Sequence, residues 1–80
     1  MRMYRLRSLR EELGMTALQM AQAIGCSVQT VLNAEFGVEL PKGEELRVRL
    51  AGAYRLSPRQ YIELAVDAAE GFARNEIARR

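Results

Sequence analysis

The sequence predicts an all-α domain of five helices, and three observations carry that reading. Ala, Leu, Arg and Glu dominate the 80 residues, while Thr, Val and Ile are sparse and there are only two prolines, a mixture that favours helix. Apolar residues recur at three- and four-residue steps rather than alternating. Gly, Ser, Thr and Pro fall between those runs, where helices stop and start. At 49% hydrophobic, the chain is too apolar for a disordered segment and large enough for one domain, not two.

Met3, Leu6, Leu9 and Leu13 form one stripe and predict a first helix from about Met3 to Leu13, with Gly14 as its stop. Thr16 is placed to cap a second helix, whose inner face is Met20, Ala21 and Ile24 and which ends at Gly25. Ser27 caps a third, from Val28 to about Ala34, with Val31 and Ala34 inward and Gly37 at its end. "GVELPKG" reads as a loop. The fourth helix spans about Glu44 to Tyr54, with Leu46, Leu50 and Ala53 inward and Glu44 and Glu45 in the first turn, where the helix dipole favours acid. Ser57 and Pro58 open a long fifth helix that runs to about Ile77. One domain over residues 1–80 follows, a four-helix core over 1–57 and the long helix over 58–80.

Two very short helices joined by "GCS" are the feature that points to a function. A brief turn containing Gly sets two helices steeply across each other. Ala21 is small where they must approach, Gly25 permits the turn, and Val31 plugs the core from the second. The stretch "MAQAIGCSVQTVLNAE" carries no Lys or Arg, yet the charges around it are arranged. Residues 1–10 hold four arginines and no acid, 11–41 four glutamates and no base, and 42–59 five bases against two acids. Basic flanks about a neutral or acidic middle suit a surface whose edges hold phosphates while its centre selects.

With "LRSLREELGMT", "MAQAIGCSVQTV", "AEFG", Pro41 and "LAGAYRLSPRQYI", the chain from Leu6 to Ile62 resembles the phage Cro and repressor type of helix-turn-helix, the xenobiotic-response-element family. The resemblance implies a lambda-repressor-like fold of five helices whose third lies in the DNA major groove, and a regulator of transcription working as a homodimer. It implies that Arg10 and Glu35 form a structural ion pair. By position it places Val28, Gln29 and Asn33 against base edges. Chemistry points the same way, since Gln and Asn offer the donor and acceptor that adenine matches, and Val suits a thymine methyl. Phosphates would be met at the starts of helices two and three beside Thr16 and Ser27, by Thr30 and Lys42, and by Arg5 and Arg7; Arg47 and Arg49 would add attraction from the flank. Tyr61, Ala65, Ala69 and Phe72 form a stripe on the long helix that would join two copies.

The chain departs from the family pattern at Ala17, Ala34 and Phe36, and has Leu18 and Leu32 where the family is usually polar. Leu18, Leu32 and Phe36 therefore form a candidate patch for a protein partner, and a scaffold of the antitoxin or antirepressor kind is the alternative function. No enzyme is expected: there is no His, the single Cys26 lacks a His partner, and no acids cluster at metal-ligand spacing. Cys26 reads as a small apolar residue of the turn. No cofactor or membrane is expected, because no apolar run approaches a span of about 18 residues, and the lone Cys suits a cytoplasmic protein.

Overall fold

The computed structural model describes residues 5–78, and side chains over residues 5–71. Five helices follow in order: α1 Arg5–Glu12, α2 Ala17–Ile24, α3 Val28–Phe36, α4 Glu44–Ala53 and α5 Pro58–Ala78. Among the described residues there is no strand. The part expected of Met3 in α1 lies outside them.

Side chains begin the helices as their types require. Thr16 Oγ1 accepts from Gln19 N–H (3.1 Å) while Gln19 Oε1 accepts from Thr16 N–H (2.9 Å), a reciprocal cap. Ser57 and Gln60 repeat it at the start of α5. At α3, Ser27 Oγ accepts from Thr30 N–H at 3.1 Å. The turn between α4 and α5 passes through a left-handed φ of 61° at Arg55, at a cost on the order of 1 kcal/mol for a residue with a side chain.

The core is one cluster fed by all five helices. Leu6, Met20, Ala21, Ile24, Val31, Ala34, Leu50, Ala51, Tyr54, Tyr61 and Ala65 are buried, and Leu9, Leu46, Ala53, Cys26 and Val28 pack partly buried around them. Of the helix pair α2–α3, α3 is held from behind by α5, which also backs α4 and α1, and α2 is held by α4.

Two interface expectations need correcting here. Tyr61 and Ala65 were expected to face a second copy, but they are 1% and 0% exposed within the single chain. The Tyr61 ring lies 5.6 Å, centroid to centroid, from that of Tyr54. An apolar stripe does not say which neighbour it faces, and here α5 crosses the bundle with that stripe inward. Ala69 is half-buried, and the side chain of Phe72 lies outside the described residues. Among the described residues of α5, the exposed large apolar side chains are instead Ile62 and Val66.

Burial of both tyrosines has a thermodynamic consequence. Desolvation, reinforced for Tyr54 by its bond to Glu35 and for Tyr61 by the charge of Glu35, raises both phenol pKa values well above their ordinary value. The Tyr61 hydroxyl has no hydrogen-bond partner among the described residues. An unfolded chain loses its phenolic protons near pH ~10, while the native chain keeps them. The stabilisation is therefore complete below that pH and falls above it, by up to about 1.4 kcal/mol per pH unit for each tyrosine. Denaturant midpoints followed by circular dichroism should drop steeply above about pH 10; a midpoint flat through the alkaline range would contradict the burial of these two phenols.

Candidate nucleic-acid interface

The candidate surface is built from α2, the turn after it, and α3. Gly25 ends α2 at φ 83° and ψ 35°, a left-handed conformation that glycine adopts without steric cost. The N–H groups of Gly25 and Cys26 both reach the Ala21 carbonyl, at 2.8 and 3.0 Å, which closes α2 tightly. Arg49 of α4 completes the closure by donating to the Ile24 carbonyl at 2.6 Å, a cation at a helix C-terminus. Burial pushes the Cys26 thiol up, opposed by the nearby Arg49 charge. Cys26 is half-buried against the core.

What holds α3 in place is a buried polar network. Arg10 Nε and Nη2 donate to the two carboxylate oxygens of Glu35 at 2.7 and 3.0 Å. Tyr54 Oη donates to Glu35 Oε2 at 2.6 Å, and Arg10 Nη1 donates to the Met15 carbonyl at 3.0 Å. Glu35 is 0% and Arg10 8% exposed. The bond to Glu35 raises the Arg10 pKa despite burial, which acts the other way. One carboxylate thus ties α1, α3 and α4 together, and its forked pairing with a planar guanidinium sets direction as well as distance.

With Glu35 and Val31 turned inward, the opposite face of α3 is left outward. Gln29 is exposed, Asn33 and Thr30 are half-exposed, and Gln29 Nε2 donates to Asn33 Oδ1 at 2.7 Å. Val28 is more committed to the protein, packing partly buried against the core. The hydroxyls of Ser27 and Thr30 are 2.8 Å apart. Beside this face lies a hollow of about 210 Å³, lined by Thr30, Asn33, Glu39, Leu40, Pro41, Lys42 and Leu46. Thr16 and Ser27 are exposed at the starts of α2 and α3, where the earliest N–H groups have no partner within their own helix.

A model of the helix-turn-helix domain matches residues 4–64. The chain belongs to the helix-turn-helix domain family. No curated protein and no solved structure matches it. Membership points to DNA-binding regulators in general, and no helix among the described residues of this helix-turn-helix domain is long and apolar enough to cross a membrane.

The cations of the domain are less free than their number suggests. Arg47 donates to the Pro41 carbonyl at 2.8 Å and Arg49 to that of Ile24. Each bond uses one of a guanidinium's five N–H donors, and Arg49 remains exposed, so both keep the positive charge expected to attract phosphates from the flank. Arg7 lies 3.4 Å from Glu11, and Lys42 3.7 Å from Glu39. Such exposed pairs are weak, so neither cation is locked away, but each has a carboxylate nearby. Arg5 is exposed on α1.

The apolar patch expected from Leu18, Leu32 and Phe36 is uneven. Leu18 is 54% exposed, whereas Leu32 and Phe36 are half-buried on α3, so two of the three present reduced surface to a partner. Sequence reasoning missed the Tyr54 bond to Glu35, the Arg49 closure of α2 and the Gln29–Asn33 bond. Only the last had a visible signal, the four-residue spacing of two amides on a helix.

Proposed function

We propose that this helix-turn-helix protein is a sequence-specific, double-stranded DNA-binding regulator of transcription that works as a homodimer with α3 in the major groove. The observation that carries the reading is the outward amide pair Gln29 and Asn33 on a helix whose other face is anchored by Glu35 and Val31. Amide side chains carry the donor and acceptor that base edges require. Val28 would lie beside them with its outer methyl. Thr16, Ser27 and Thr30 would bring the starts of α2 and α3 to phosphates, and Arg5, Arg7 and Lys42 would supply positive charge. Few cations per protomer make a monomer bind weakly, and a two-fold dimer on half-sites about 34 Å apart doubles the contacts. The exposed Ile62 and Val66 of α5, continued by Ala69, support that side of the molecule as the place where two copies meet.

Selection from a random duplex pool tests the reading. Selected sites should carry a two-fold repeat. Gln29→Ala should cost about 1–3 kcal/mol of discrimination at one position per half-site. Arg5→Ala should weaken all duplexes alike and lower the slope of affinity against salt by about one. Equal binding of every duplex would overturn the proposal. Absence of binding at low salt would instead favour a protein-partner scaffold, the reading that the exposed Leu18 supports.

A further inference from the structure

We infer that Asn33 is a positioning residue for base recognition, holding the Gln29 amide in the orientation that reads an adenine. This rests on the DNA-binding reading above and deepens it. Turning an amide over about its last bond exchanges its oxygen and its NH₂ with little change of shape. An unrestrained glutamine therefore presents donor and acceptor to a groove in either order. Adenine presents its N7 acceptor and N6 donor in one order, so a reader that can turn over loses discrimination.

In this structure Gln29 is restrained. Its Nε2 donates to Asn33 Oδ1 at 2.7 Å, one helical turn away. Turning Gln29 alone would set Oε1 against Oδ1, two acceptors in contact. The amide nitrogen carries two hydrogens. With one given to Asn33, the other remains beside Oε1, and together they match adenine N7 and N6.

Asn33 is itself well held. Its backbone carbonyl accepts from Val38 N–H at 2.8 Å and Glu39 N–H at 3.3 Å, in the turn that ends α3. Its side chain forms part of the wall of the hollow beside Thr30 and Lys42. A half-buried residue on a closed helix end thus orients an exposed one. If both amides turned over together the bond would run the other way; an aspartate at position 33 forbids that arrangement, because a carboxylate only accepts.

The test compares the full chain with Gln29→Ala, Asn33→Ala and Asn33→Asp, each checked as folded by circular dichroism, in competition binding to selected duplexes varied one base pair at a time. Gln29→Ala marks the base concerned by losing its adenine preference. At that base, Asn33→Ala should reduce the preference by about twofold, the orientation bias that a bond between amides four apart on a helix supplies, with affinity for unrelated DNA nearly unchanged. Asn33→Asp should keep the preference, while its added negative charge weakens every duplex alike. An adenine analogue with carbon in place of N7 should weaken the wild-type chain about tenfold and Asn33→Ala about half as much. Equal preference in the wild type and Asn33→Ala overturns the positioning role and leaves the DNA reading standing. Loss of preference in Asn33→Asp as well as Asn33→Ala also overturns it. A wild-type chain with no preferred base overturns both.

Discussion

Glu35→Ala is expected to destabilise the domain by about 3–5 kcal/mol, a fall in thermal midpoint of roughly 12–40 °C for a chain of this size. The carboxylate is fully buried and accepts three hydrogen bonds, two from Arg10 and one from Tyr54. Truncating it leaves a nearly buried guanidinium with the Met15 carbonyl as its remaining acceptor, a buried phenol without its partner, and a void. Total stabilities of small domains are about 5–15 kcal/mol, so this single change consumes much of the margin. The effect comes from uncompensated groups rather than from lost attraction, and that distinction is testable. Converting all three partners to apolar residues of similar size, with Arg10→Met, Glu35→Leu and Tyr54→Phe together, should recover most of the loss. Thermal melts of the single and triple variants decide it; a single variant that loses under about 1 kcal/mol would show that the network does not hold α3.

The same network shows where the sequence was legible. Arg10 and Glu35 are 25 residues apart, and their pairing was available only through family resemblance, since no local pattern links them. Helix positions were readable because their causes are local. Thr16, Ser27 and Ser57 cap helices that begin at the next residue, and Gly25 and Gly37 end α2 and α3 in left-handed conformations. The neutral outer face of α3 was readable too, because the inward positions of Val31 and Ala34 determine which side of a short helix remains. What was not readable depends on how helices cross. Tyr54 closes α4 in any pattern analysis, and only the packing of α4 against α5 and α2 brings its hydroxyl to Glu35. Tyr61 belongs to a stripe that suits a core or a subunit contact equally, and the direction in which α5 crosses the bundle settled it. Arg47 and Arg49 count as charges in a sequence, and only the packed chain shows that one donor of each also ends on a carbonyl, of a loop and of α2.

Gly37→Ala should destabilise the domain by about 2–5 kcal/mol, and a matched control separates its two causes. Gly37 has φ 75°, where a residue with a Cβ pays roughly 1–2 kcal/mol. A Cβ there would also fall inside the envelope of the α5 backbone, against the Ala68 carbonyl group and the Ala69 nitrogen. Overpacking of this kind adds about 1–3 kcal/mol. No side-chain truncation can relieve it, since the obstruction is main chain, so α3 and α5 must move apart. Gly14 has nearly the same φ, 71°, and nothing within 4 Å of where its Cβ would stand. Gly14→Ala therefore reports the conformational cost alone, and Gly37→Ala should lose at least about 1 kcal/mol more in parallel denaturant titrations. Equal losses would mean that the contact between α3 and α5 yields easily. The close approach also redefines what the small residues of α5 are for. Ala69 stands in the stripe expected to join two copies, and the α5 backbone at Ala68 and Ala69 also meets the end of α3 from the same chain. If two copies meet along α5, this seat sets the position of each outward α3 face relative to the dimer axis, and a shifted seat would alter half-site spacing even where base preference survives.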